Sequence, residues 1–141
     1  MIVKFYDQVE DEKLKFAVIA ARAEGKWVFC KHKARTTLEA PGGHREPGEP
    51  ILDTARRELQ EETGATAFDL QPVCVYSVTD PDNFDGAETY GLLCTARVHA
   101  FGPIDSEMEK IVLTADLPTQ WTYPQIQPKL LAELERRGVI Q

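Results

Sequence analysis

Glu58, Glu61 and Glu62 lie close together in the chain, and at roughly 100° per residue three acids so placed share one arc of a helix. Carboxylate oxygens are the ligands that magnesium and manganese prefer, and magnesium commonly completes its shell with waters and substrate phosphate oxygens. The order of charges points the same way. A solvated helix gains from acids in its first turn and bases in its last, yet here Arg56 and Arg57 precede the cluster while Glu61 and Glu62 stand at the carbonyl end. A hard divalent cation would offset that disadvantage.

The element that positions these acids is predicted from local chemistry. Pro50 suits a first helical position and Gly64 the residue just past the end, so a helix is expected from about Pro50 to Thr63. Leu52, Ala55 and Leu59 then fall on one core-facing stripe, flanked by the acids. Arg57 has Glu61 as an i,i+4 partner. Gly42 and Gly43, just upstream, are expected to form a tight turn needing positive φ, which is compatible with a carbonyl facing a metal.

Around this helix the pattern is that of strands. Leu14 to Ala21 and Lys26 to Lys31 are joined by a Glu24-Gly25 turn, and Phe68 to Thr79, Glu88 to His99 and a short Lys110 to Thr114 follow. Pro124 to Arg137 reads as an amphipathic helix with Ile126, Leu130, Leu131 and Leu134 inward, Gly138 ending it and Pro128 marking its true first turn. One helix among the strands and one after them predict an α/β protein, a mixed sheet sandwiched between helices. Its 141 residues are expected to form a single domain, residues 1 to 141, with a sizeable core.

A net charge of −7 argues against nucleic-acid polymers as partners, since binding them relies on basic surfaces. The chain has no long apolar run for a membrane span and no signal-peptide pattern at its start, so a cytoplasmic protein without membrane contact is expected. Cys30, Cys74 and Cys94 fit neither a zinc knuckle nor a redox pair and read as buried thiols. His32, His44 and His99 are too scattered for an obvious metal cluster. The stretch from Asp80 to Gly86 has a superficial likeness to a calcium loop, against which Pro81 and the lack of flanking helices both speak. Lys31, His32, Lys33 and Arg35 form a basic cluster shortly before the acidic helix on an otherwise acidic chain, which favours a polyanionic substrate.

Gly43, Glu49, Arg57, Glu58, Leu59, Glu61, Glu62 and Gly64 stand at the spacing of the Nudix box, G-x5-E-x7-R-E-U-x-E-E-x-G-U, with Ala65 at the final aliphatic position. The chain therefore resembles the Nudix hydrolases, and the segment from Lys26 to Gly43 resembles their MutT-like, nucleoside triphosphatase branch. The resemblance implies the Nudix α/β/α sandwich and a Mg2+ site, with Mn2+ as the alternative ion, held by Glu58, Glu61, Glu62 and the Gly43 carbonyl. It implies a pairing of Glu49 with Arg57 between loop and helix. It also implies catalytic roles for Glu58, Glu61 and Arg57, together with a general base outside the box. Glu107 is the first choice for that base, Glu109 the second, and Glu58 an alternative.

Lys31, His32 and Arg35 are the candidates to meet substrate phosphates. Phe5, Tyr6, Tyr76 and Trp121 are aromatic candidates for base stacking, with core packing the commoner role of such residues. The implied activity is cleavage of a nucleoside triphosphate, such as the oxidised purine nucleotide 8-oxo-dGTP, to monophosphate and pyrophosphate. Alternatives are hydrolysis of ADP-ribose or of dinucleoside polyphosphates, and a noncatalytic nucleotide-binding module. The expected partner is thus a small nucleotide, with monomer and homodimer both open.

Overall fold

The computed structural model describes residues 1–82 and 84–140. Among these the chain forms seven strands, β1 (Ile2–Tyr6), β2 (Leu14–Ala23), β3 (Lys26–His32), β4 (Gly42–His44), β5 (Ala65–Thr79), β6 (Glu88–Phe101) and β7 (Met108–Thr114). Two α-helices accompany them, α1 (Ile51–Thr63) and α2 (Gln127–Arg136). Asn83, inside the stretch compared above with a calcium loop, lies outside the described residues.

The strands form one sheet in the order β1-β5-β6-β2-β3-β7, with β4 paired to β2 off that path. β2 and β6 run parallel and the other pairs antiparallel, so the sheet is mixed as expected. Both faces are covered. Ile19, Ala21, Val28 and Cys94 pack with Ala55 and Leu59 of α1, while Ala20, Phe29, Tyr76 and Leu93 pack with Leu130, Leu131 and Leu134 of α2. Each fully buried leucine in these layers contributes roughly 1.5–3 kcal/mol. The result is the α/β/α sandwich.

β5 serves both layers by changing face. Phe68 and Leu70 pack on the α1 side, whereas Cys74, Tyr76 and Val78 pack on the α2 side. Strict alternation would put all of them on one face, and the register shift between Pro72 and Cys74 supplies the extra residue that reverses it. Pro72 has no N–H for the ladder, which suits it to such a bulge.

Several expectations need correction in detail. Pro50 is the residue before α1 and not its first member: it is extended, with φ −60° and ψ 140°, and its carbonyl accepts the N–H groups of Asp53 and Thr54. α2 begins at Gln127, later than Pro124, with Pro128 in its first turn. β1 was not expected, although Val3 and Phe5 turn inward and Ile2 and Lys4 outward in the alternation of an edge strand. β4 was not expected either, because two glycines carry no side-chain periodicity. All three cysteines are buried and free, and no helix among the described residues is long and apolar enough to cross a membrane.

Gly64 ends α1 in the left-handed region at φ 76°, its N–H bonded to the Gln60 carbonyl. A Cβ there would fall 2.4 Å from the carbonyl oxygen of Gly102, which is backbone and cannot step aside. Gly64→Ala should therefore combine conformational strain with overpacking, and a loss of about 2–4 kcal/mol is expected in denaturant titration.

Glu88 ties three strands together. Its carboxylate accepts the hydroxyls of Tyr6 and Ser77 at 2.6 Å each and of Tyr90 at 2.7 Å. Those bonds to the charged form, that of Ser77 foremost, hold its pKa down at about 2. On α2, Glu133 is likewise held at about 2, chiefly by Arg136 with Arg137 adding to it. A carboxyl lowered on folding stabilises fully above its ordinary pKa near 4.5, and that stabilisation is lost as pH falls toward 2. The melting temperature should therefore drop between about pH 5 and pH 2, and Glu88→Gln should flatten part of that slope.

Candidate active site

The acidic end of α1 is built from the loop that precedes it. Arg57 reaches back from the helix so that its Nε donates to Glu49 Oε2 at 2.8 Å and its Nη2 to Glu49 Oε1 at 3.1 Å, while Nη2 also donates to the His44 carbonyl at 2.9 Å. Glu49 takes a further bond from Thr54 Oγ1 at 2.6 Å, and its pKa falls to about 2, with the Arg57 bond as the largest cause. Arg45 holds the loop from the other side through the Glu49 and Asp11 carbonyls. Loop and helix thus form one rigid corner. Arg57 satisfies both expectations at once, because its Nη1 also donates to Glu58 at 2.9 Å and to Glu61 at 3.3 Å.

Gly42 and Gly43 are corrected in kind. Neither takes a positive φ. They form β4 against Ala17 and Val18, and glycine is needed there for close approach. A Cβ on Gly42 would lie 2.5 Å from the Ala17 carbonyl oxygen, and one on Gly43 would lie 2.4–2.6 Å from the three carboxylate atoms of Glu58. The Glu58 carboxylate therefore rests against bare backbone. Glu62 sits beside it, buried, accepting the Gly42 N–H at 2.8 Å.

The electrostatics of this corner are unfavourable for anions. Burial pushes the Glu62 carboxyl up to about 8; the Gly42 N–H pulls it back, and the charges of Glu58, Glu39 and Glu107 raise it further. Glu58 is raised as well, burial first, with Arg57 opposing and Glu61 and Glu107 adding to the rise. Acids that repel one another, with oxygen ligands set against a glycine, are suited to a hard divalent cation. Among the described residues no three His, Cys, Asp or Glu side chains already converge as a cage. Arg57 Nη1 holds Glu58 and Glu61 instead, so an ion would have to take over that contact.

Arg57, Glu58 and Glu62, though not Glu61, open onto a cavity of about 770 Å³, within the range of small-molecule sites. Glu58, Glu62, Glu107, Gly43, His32 and Arg35 all line it. Glu107 is exposed at its rim, where its carbonyl accepts the Lys33 N–H. Glu109 is placed elsewhere: it pairs with Lys31 at 3.1 Å, and neither residue lines the cavity. Lys31, whose Nζ also donates to the His32 carbonyl at 3.3 Å, thus does not line the cavity with His32 and Arg35. Glu61 is exposed at the helix end beside Arg57. Of the aromatic candidates, Tyr76 lines the cavity, Trp121 packs on Phe29 with ring centroids 5.4 Å apart, Tyr6 is bound to Glu88, and Phe5 packs into the α2-side core.

Sequence reasoning missed Glu39, Tyr123 and Gln127, which also line the cavity. Glu39 is buried and pairs with Arg35 at 3.1 Å, and Arg35 lies 6.0 Å from the Tyr123 ring centre. The acid just before Ala40-Pro41-Gly42 was the available signal for Glu39. Tyr123 and Gln127 gave none, being brought in from the far end of the chain.

The model of the NUDIX domain matches residues 11–134. The chain belongs to the NUDIX family. Within the family it is 37% identical over 76 residues to a Bacillus subtilis (strain 168) protein provisionally named 8-oxo-dGTP diphosphatase YtkD, a match covering 54% of this chain and 48% of that one. It is 44% identical over 64 residues to the ADP-ribose pyrophosphatase of the same organism, covering 43% of this chain and 35% of that one. The matches thus span half or less of these curated relatives. Among solved structures, the Bacillus subtilis pyrophosphohydrolase BsRppH superposes with a TM-score of 0.78 at 24% identity, covering 99% of this chain and 93% of that one. A NUDIX hydrolase from Nitrosomonas europaea superposes at 0.70 and 18%, covering 91% and 96%. At these identities the structural likeness shows the fold alone.

Proposed function

We propose that this NUDIX-family chain is a magnesium-dependent hydrolase, acting as one domain in the cytoplasm, which cleaves a nucleoside triphosphate such as 8-oxo-dGTP to the monophosphate and pyrophosphate. The observation that carries this reading is the corner where Glu58 and Glu62 meet bare glycine backbone inside a nucleotide-sized cavity, with Glu61 alongside and the Arg57–Glu49 clamp behind. Glu58, Glu61, Glu62 and the Gly43 carbonyl would hold Mg2+, or Mn2+ in its place. Bound there, the metal would neutralise phosphate charge and lower the pKa of water.

The chain's own groups supply the rest. Arg57 holds loop against helix and so fixes the direction from which Glu58 faces the cavity. Glu107, at the rim, takes the proton from the attacking water; Glu109, engaged with Lys31, is poorly placed to do so. His32 and Arg35 meet the phosphates, Arg35 needing to loosen from Glu39 as it does.

A second reading, cleavage of ADP-ribose, is favoured by the 44% identity to the ADP-ribose pyrophosphatase. A panel of nucleoside triphosphates, ADP-ribose and dinucleoside polyphosphates with Mg2+, read for phosphate against pyrophosphate in labelled water, separates the two. Pyrophosphate release from a triphosphate is the expected result. Turnover of ADP-ribose alone, to AMP and ribose phosphate with neither phosphate nor pyrophosphate released, would select the second reading, and no turnover of any member would leave a nucleotide-binding module.

A further inference from the structure

Two buried side chains that line the cavity carry hydrogen-bonding groups left unused among the described residues. Gln127, 5% exposed, opens α2, and its Oε1 accepts the Ala40 N–H at 2.8 Å. That bond settles the orientation of the amide, because the reversed amide would set one N–H against another. The Nε2 donors are left over. Among the described residues Nε2 bonds to no protein group, and Thr114 Oγ1 is the one buried side-chain oxygen or nitrogen sealed off without a partner, so Nε2 stays accessible on a residue that lines the cavity.

Tyr76 is in the same position. It is also 5% exposed, and its ring lies over Gly91, where a Cβ would come within 2.6–2.7 Å of Cε1, Cζ and Oη. Its hydroxyl makes no hydrogen bond to the protein among the described residues and is likewise not sealed off. Val18, Val78 and Ile126, partly buried on the α2-side core layer, also line this cavity. Apolar side chains together with unspent donors are suited to a heterocycle that is read by hydrogen bonds and not merely sandwiched.

We propose that Tyr76 and Gln127 form the base-reading subsite, and that it selects a nucleobase presenting a ring carbonyl to the Gln127 amide. The assignment rests on the reading of this cavity as a nucleotide site. Gln127 offers donors only, so a carbonyl oxygen pairs with it, whereas an exocyclic amino group would leave two donors opposed and both unpaired. Tyr76 Oη, donor and acceptor alike, accepts or donates at a neighbouring ring position.

Inosine and adenosine nucleotides isolate the point, since they differ at the C6 carbonyl or amino group and the adjacent ring proton. Wild-type protein with Mg2+ is expected to show a kcat/KM for inosine triphosphate roughly tenfold or more above that for ATP. Gln127→Glu keeps an acceptor for the Ala40 N–H but replaces the donors with a carboxylate oxygen, and the ratio should fall roughly tenfold or more. Tyr76→Phe removes the hydroxyl from a ring that stays buried, and should lower the ratio less. A ratio unchanged in both variants, or a wild-type preference for ATP, overturns the proposal. Calorimetric binding of inosine and adenosine monophosphates without metal separates this from the hydrolase reading: a protein that cleaves neither triphosphate but binds the inosine form more tightly fails as an enzyme and keeps the subsite, while equal binding removes the subsite.

Discussion

Glu58→Gln is expected to lower turnover of a nucleoside triphosphate with Mg2+ by roughly 10²- to 10⁴-fold while leaving the fold intact. Glu58 stands at the meeting point of the clamp, the β4 backbone and the cavity, and its charge is disfavoured by burial and by Glu61 and Glu107. A neutral amide of the same shape removes that repulsion at the cost of a weaker bond from Arg57. Stability in the absence of metal should therefore change little, and a loss of activity without a loss of stability is the mark of a residue kept for function. Glu61→Gln should behave similarly. Pyrophosphate release read beside a thermal melt decides it, and unchanged release would remove Glu58 from the site.

Gly43→Ala and Gly42→Ala should fail in opposite ways although they are neighbours. The methyl group on Gly43 meets the end of the flexible Glu58 side chain at 2.4–2.6 Å, so the carboxylate swings away and the strand survives. Activity should fall as far as in Glu58→Gln, with a melting temperature close to wild type. The methyl group on Gly42 meets the Ala17 carbonyl oxygen at 2.5 Å and the Val18 Cα at 3.0 Å. Those atoms belong to the central β2 strand and cannot yield without disturbing the ladder. A loss of about 1–3 kcal/mol in stability is expected, measurable by urea titration. Equal effects of both substitutions on stability would mean that Glu58 is not what the Gly43 position accommodates.

Much of this molecule was readable in its residues because the relevant forces are local. The period of apolar residues marked β2, β3, β5, β6 and both helices, and Gly64 marked the end of α1. The same reading failed where an element has no side-chain pattern, as in β4, or where the requirement comes from a distant neighbour. Gly42 and Gly43 read as turn glycines by that logic, yet what they need is nearness to Ala17 and to Glu58. Lys31 and Glu109 read as site residues from their place in the chain. Pairing of β3 with β7 sets Lys31 opposite Lys110 and brings the two side chains together.

The chain alone determined which acids share a helix, which family spacing they follow and which layers they must join, since helix geometry and hydrophobic period act within a few residues of one another. Only the tertiary structure decided that Glu62 is buried under Gly42, that Glu107 and not Glu109 reaches the cavity, and that Tyr76 and Gln127 line the same cavity. Those outcomes depend on strand order, on the bulge at Pro72 and on where α2 docks, and each is set by packing between segments far apart in the chain.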